Sequence, residues 1–398
     1  MKNLYYLFAA LLFLPYTLLI SCSDEGIIPL SDDQHKSILK KSSVLTPVEL
    51  LGKNIFFDKI SVPNGMSCAD CHDPKVGFTG PKAGINMHGA VYRGADGQSF
   101  GNRKPPSAAY ATQSPVFHYD SNEGTFVGGN FWDGRATGEK LGNPSADQAQ
   151  GPFLNPVEHN VPNKETVLQK ISTSKYSALW EEVWGEPLSF STNEDIAANY
   201  DRVGLAIAQY ESSAEVNQFS SKFDMHLQGE VSLTEQETMG LGLFNGKAKC
   251  NLCHVSEGFQ PLFTDFTFDN LGIPPNLENP VYEYDPAFID NGLGGFLETN
   301  TEWIYLAQEN MGKQKVPTLR NVGKKPGRGF TKAYMHNGVF KSLKEVVHFY
   351  NTRDDGSWPP PEVSENVNQD ELGNLGLTDA EEDAIVAFLN TLSDGYRK

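Results

Sequence analysis

Positive charge, cysteine and long apolar runs are all scarce in this chain, and each scarcity excludes something. Lys and Arg number 32 against 50 Asp and Glu, a formal charge of −18 over 398 residues. Non-specific nucleic-acid binding needs a basic face, so no nucleic-acid partner is expected; a basic protein partner would be attracted, although the same charge also serves solubility. Beyond the N-terminus no stretch of 18 apolar residues occurs, so nothing in the body reads as a membrane-spanning helix. Cysteine is limited to Cys22, Cys68, Cys71, Cys250 and Cys253. An exported protein with spare thiols would use them in disulfides, and here, as shown below, none is spare.

Glycine and proline, by contrast, are plentiful at 37 and 24, which suits helices joined by long loops. No strand-rich region stands out, and the expected fold is mainly α. The first residues, MKNLYYLFAALLFLPYTLLISC, have one Lys, an apolar run and a small residue before Cys22. They read as a signal peptide over 1–21. Leu19-Ile20-Ser21-Cys22 has the form of a bacterial lipobox, with Cys22 lipidated; the plainer alternative is an ordinary signal with an incidental Cys. A single lipid would hold the protein at a membrane surface without spanning it. Residues 22–43 then form a polar tether, and the expected location is the periplasm, as a membrane-anchored lipoprotein.

The body contains a repeat. LTPVELLGKNIFF (45–57) and LTEQETMGLGLFN (233–245) share the frame L-T-x-x-E-x-x-G-x-x-[I/L]-F. Thr46 with Glu49, and Thr234 with Glu237, make capping boxes, and Pro47 suits a first helical position. Each predicted helix has apolar residues three or four apart, and each leads to a Cys pair. Further amphipathic helices are predicted over 194–210, with Ile196, Tyr200, Val203 and Ile207 on one face, over 338–350 and over 378–392. The polar segment 220–232 marks a junction, giving domains 44–220 and 221–398.

The remaining four cysteines form Cys68-Ala-Asp-Cys71-His72 and Cys250-Asn-Leu-Cys253-His254, two CxxCH signatures of covalent haem c attachment. Two Cys three apart reach both vinyl groups of one haem, and the following His is directed at the iron. A zinc site would require the two pairs to meet from distant parts of the chain, and needs no His after each. A redox disulfide is the other alternative. The preferred reading is two cytochrome-c-like haem domains, with His72 and His254 as axial ligands.

The second axial position decides whether a haem carries electrons or does chemistry. For the first haem, His88 in the loop GINMHGA is a candidate, with Met87 its neighbour and rival. For the second, Met335, His336 and Tyr350 are all within reach. Met raises a haem's reduction potential, and an anionic Tyr lowers it. Composition does not rank these.

With the two CxxCH motifs, FWDGR (131–135), QAQGPFLNPVE (148–158) and AYMHNG (333–338) closely resemble the bacterial dihaem cytochrome c peroxidase family over residues 44–398. Relatives of that family include the enzyme that matures tryptophan tryptophylquinone. The resemblance implies that the His72 haem is peroxidatic and that His88 is a removable distal ligand. It implies Trp132 as the conduit between haems, Gln148 and Pro152 as peroxide-pocket residues, and Glu158 as the acid–base group. The family's second-haem ligand falls fourteen residues after the His of YMHNG, at Tyr350; Met335 is the alternative. Ordinary peroxidases of the family carry Met there, and the quinone-maturing relatives carry Tyr. His159 stands where the family often has Met, and GEKLGNPS is an insertion between Trp132 and Gln148. The family's calcium site uses an Asn after Arg, whereas Arg103 here is followed by Lys104. A positive charge disfavours a hard cation, and any ion left would lean on the backbone oxygens of Thr331 and Ala333.

The expected function is reduction of hydrogen peroxide to water, with electrons from a small donor such as cytochrome c entering at the His254 haem. The alternatives are oxidation of residues in a partner protein and a dihaem electron carrier with both irons closed. Family members commonly form homodimers, but no dimer interface is marked in this sequence.

Overall fold

Why each half of the repeat needs its glycine is plain in the computed structural model, which describes residues 44–398. The helix Pro47–Phe57 lies against Asn193–Ser212 so closely that a Cβ on Gly52 would sit 1.8 Å from the carbonyl oxygen of Ala206. In the second half, Glu235–Asn245 lies against Asp379–Asn390, and a Cβ on Gly240 would sit 1.9 Å from the oxygen of Ala384. No side chain fits either crossing, so the repeat's G is a packing requirement. Phe56 and Phe244, four residues further on in each copy, are both 1% exposed. Thr46 and Thr234 cap the two helices through the reciprocal bonds with Glu49 and Glu237.

Two helical cores follow. The first gathers Leu51, Ile55, Phe56, Val203, Ile207 and Tyr210; the second gathers Phe223, Phe244, Leu343, Val347, Ile385 and Phe388. Phe219 packs against the first and Phe223 belongs to the second. The halves are not separate in space. Phe117 and Phe126, from the hairpin His118–Asp120/Thr125–Val127, join Phe268, Leu293 and Trp303 in a third cluster. The remaining paired strands are Phe268–Asp269 and Gln314–Lys315. Residues 44–398 accordingly form one compact unit, mainly helical with long connections.

The signal, the lipobox with Cys22 and the tether to residue 43 lie outside the described residues. Among the described residues no helix is long and apolar enough to cross a membrane.

Candidate functional site: two haem cavities

Each CxxCH forms a single 3-10 turn, Cys68–Asp70 and Cys250–Leu252. The amide of His72 donates to the oxygen of Cys68, and that of His254 to the oxygen of Cys250, at 2.9 Å in both. This turn places the two thiols and the imidazole on one wall. Cys68, Cys71 and His72 line a cavity of ≈ 250 Å³; Cys250, Cys253 and His254 line another of ≈ 220 Å³. The Cys pairs therefore do not meet, which excludes a shared zinc site, and all four thiols are free rather than bridged.

The imidazoles are oriented alike. Nδ1 of His72 lies 3.1 Å from the oxygen of Phe78, and Nδ1 of His254 lies 2.8 Å from that of Phe263. A carbonyl only accepts, so Nδ1 carries the hydrogen and Nε2 keeps its lone pair for the cavity. Both phenylalanines sit at positive φ, 57° and 55°, the conformation that turns each carbonyl toward its histidine. Burial lowers both imidazole pKa values, keeping them neutral as an iron ligand requires. Two thiols and one unprotonated ring nitrogen on one apolar wall, twice, fit covalent haem c.

The sequence-predicted pocket residues converge on the first cavity. Gln148, Pro152, Glu158 and Trp132 all line it. Gln148 and Pro152 share the helix Pro144–Leu154, capped by Asn143 from the insertion, whose side chain accepts from the amides of Ser145 and Ala146. Pro152 has no N–H to give the carbonyl of Gln148 four residues back, which loosens the helix at the cavity wall. Asn155 then forms the turn of NPVE: its Oδ1 accepts from the amide of Val157, and its Nδ2 donates to Glu158 at 2.7 Å. Burial raises the Glu158 carboxyl above its ordinary value, against the opposing pull of Asn155 and Arg135.

His88 is not brought to this cavity. It ends the short helix Ala83–Met87, its side chain is 67% exposed, and Nδ1 lies 3.3 Å from Oε1 of Glu278. The loop is pinned away from the first haem site: Lys341 and Asn276 both donate to the His88 carbonyl, and Gly89 packs on the backbone of Glu278 and Asn279. The histidine that lines this cavity with His72 is His159, 3% exposed, whose Nδ1 is buried with no hydrogen-bond partner among the described residues.

Tyr350 and Met335 both line the second cavity, with His336. Tyr350 projects from the helix Leu343–Thr352, capped by Ser342 and Glu345. Its hydroxyl makes no hydrogen bond to any described residue, and burial together with the neighbouring Cys250, Cys253 and Asp269 raises its pKa. His336 instead approaches Glu362, at 3.7 Å.

Trp132 lines both cavities, held by a second internal repeat that the sequence reading missed. Lys104-Pro105-Pro106-Ser107 and Lys315-Val316-Pro317-Thr318 share the frame K-x-P-[S/T], and Lys104, Ser107, Lys315, Pro317 and Thr318 also line both cavities. The Trp132 indole donates to the oxygen of Lys104 at 2.8 Å, and its carbonyl accepts from the amide of Lys315 at 2.7 Å. Thr79 bonds the oxygen of Pro105, and Thr264 that of Val316, both at 2.7 Å. Asp133 links Arg103 and Arg135, and Arg103 also binds Asp290. Glu211 was missed as well: it lines the first cavity with its carboxyl pushed up to about 8 by burial, and its neighbours Tyr210 and Ser212 gave no signal of it.

Comparison with known proteins agrees with this arrangement. The family described as di-haem cytochrome c peroxidase matches residues 47–232. The chain is 35% identical over 372 residues to the methylamine utilization protein MauG of Paracoccus denitrificans, covering 86% of this chain and 88% of that one. It is 30% identical over 362 residues to the cytochrome-c peroxidase IdrP2 of Denitromonas iodatirespirans, covering 86% and 80%. The crystal structure of the diheme peroxidase BthA from Burkholderia thailandensis is similar with a TM-score of 0.73 at 31% identity, covering 88% of this chain and 87% of that one.

Proposed function

This chain belongs to the di-haem cytochrome c peroxidase family, and on that premise we propose that it reduces hydrogen peroxide to water in the cavity of His72. The observation that carries the proposal is the convergence of Glu158, Gln148 and Pro152 on the cavity that also holds Cys68, Cys71 and His72. The reaction consumes two electrons and two protons for each peroxide and releases two waters. When bound, the haems supply one-electron transfer and reductive cleavage of the O–O bond.

The chain's own groups supply the protons and the orientation. Glu158, with one oxygen held by Asn155, takes a proton from one peroxide oxygen and returns it to the other, so that the departing oxygen leaves as water. Its raised pKa suits both halves of that task. Gln148 offers an amide that no described residue occupies, placed to orient the peroxide, and Pro152 closes the wall beside it. Trp132, which lines both cavities, would carry electrons from the second, where Tyr350 and His254 would hold the haem iron. An acidic surface suits a small basic redox protein as donor. Cys22 anchors the exported protein through its lipid.

A second reading has its own support. Tyr350, where an ordinary peroxidase of the family has Met, and the likeness to MauG favour withdrawal of electrons from residues of a partner protein. Stopped-flow mixing of hydrogen peroxide with fully oxidised and half-reduced protein separates the readings. Fast reaction only after half-reduction means a peroxidase in which His88 leaves Glu278 to close the oxidised site. Fast reaction of the oxidised form favours the second reading, with His88 remaining where it is seen here. If neither form reacts, both readings fall and an electron carrier remains.

A further inference from the structure

The wall between the two cavities is where the family resemblance implies a calcium ion, and the residues present do not fit one. Calcium takes six to eight oxygen ligands, commonly including carboxylates. Here much of the backbone oxygen is already engaged by nitrogen donors. The carbonyl of Thr331, one of the two expected to remain for an ion, accepts from Nδ2 of Asn86 at 3.1 Å. Nζ of Lys332 donates to the carbonyls of Asn321, Val76 and Lys324 at 2.7, 3.0 and 3.2 Å. Nζ of Lys104 donates to the oxygen of Pro105 at 3.0 Å and to the hydroxyl of Thr79 at 3.2 Å. Among the described residues, the one cluster of ionisable groups able to ligate a metal is Cys253, Asp269 and Glu371, and its thiol is an attachment thiol of the second haem.

Lys332 and Lys104 are almost wholly buried, at 7% and 8% exposure, and neither has a carboxylate partner among the described residues. Burial lowers the pKa of Lys104 to about 8 and that of Lys332 well below its ordinary value, with Lys104 itself contributing to the second shift. Such burial is costly unless the group is needed. Three carbonyl acceptors around one nitrogen require three N–H donors, which only the ammonium form of Lys332 provides. The acceptors also come from both halves of the molecule, Val76 just after the first CxxCH and Asn321 and Lys324 just after the second K-x-P-[S/T] segment. Lys104 reaches across as well: its amide donates to the oxygen of His336 at 2.7 Å while its carbonyl holds Trp132.

We propose that the ammonium groups of Lys104 and Lys332 are the resident cations of the inter-haem wall, joining the two haem-bearing halves through backbone oxygens, and that the protein binds and needs no calcium there. A divalent ion placed among these oxygens would meet two like charges and displace the five hydrogen bonds that the two ammonium groups donate. None of this depends on which substrate the haems oxidise or reduce.

The test uses the native holoprotein, purified without added calcium and dialysed against a calcium chelator. The expected result is far less than one calcium per chain by elemental analysis, and a Tm that neither chelator nor added calcium moves. Lys332→Met, which leaves the carbonyls of Val76 and Lys324 without this donor and takes one of two from Asn321, should lower Tm by several degrees, and Lys332→Arg should recover part of the loss. One retained calcium per chain, or a Tm that falls with chelator and returns with calcium, would overturn the proposal. A Tm unmoved by Lys332→Met would overturn it too. The chelator arm uses the native chain, so it decides even if the variant does not fold.

Discussion

The two cavities share one attachment wall and differ on the facing one. Gly52 against Ala206 repeats as Gly240 against Ala384; Phe78 over His72 repeats as Phe263 over His254; Thr79 on Pro105 repeats as Thr264 on Val316. Whatever holds a haem has been kept in both copies. Besides its attachment residues, the first cavity is lined by Gln148, Pro152 and Glu158, and the second by Tyr350 and Met335. In the first set Glu158 can move a proton, and in the second either residue can ligate iron. One wall therefore makes a haem protein, and the other wall determines which kind.

Exchanging the chemistry of the facing walls is the most direct way to break this comparison. Glu158→Gln keeps the shape and the Asn155 contact but removes the exchangeable proton. The rate with peroxide should fall by roughly 10²–10⁴-fold, with the haem spectra unchanged. A variant that keeps its rate would show that the first wall's carboxyl is not what distinguishes it. On the second wall, Tyr350→Met should raise that haem's reduction potential by a sizeable part of the ~0.8 V that axial ligands span. The helix Leu343–Thr352 keeps its Ser342/Glu345 cap, so the fold should hold. A potential that does not move would assign the ligand to Met335, the other candidate on that wall.

What could be read from sequence follows the same division. The capping boxes of Thr46 and Thr234 and both Cys pairs were legible because their signals are local, whereas the helix expected from residue 338 starts only at Leu343, capped by Ser342 and Glu345. Glu158 and Gln148 were legible through NPVE and QAQGP, short motifs whose turn and Pro break place both side chains on one wall. The loop of His88 was not. Its carbonyl is held by Lys341 and Asn276 and its ring by Glu278, contacts more than a hundred residues away in sequence. No spacing rule contains those. The K-x-P-[S/T] repeat was missed for a different reason: four residues carry little statistical weight, and only the clamp on Trp132 shows that they matter. The capping Asn143 and Pro144, inside what read as an insertion, are in fact the start of the pocket helix.

The smallest effect tests the symmetry where the attachment walls themselves differ. Counting five residues on from Ala206 and from Ala384 gives Glu211 in the first cavity and Leu389 in the second. Glu211 has no side-chain hydrogen bond to any described residue, and burial holds its carboxyl at about 8 against an ordinary value near 4.5. The folded protein therefore keeps this proton where the unfolded chain has released it. Its contribution is most favourable below about pH 4.5, is lost progressively as pH rises, and levels off above about pH 8. Glu211→Gln has no such term. The Tm of the variant minus that of the native holoprotein should therefore climb between those two pH values, by several degrees at roughly 1.4 kcal/mol per pKa unit. Glu211→Leu, which copies the second cavity, should show the same slope. A flat difference would mean that the filled cavity supplies Glu211 with a partner for its charge, and the first attachment wall would then be polar by function rather than by tolerance.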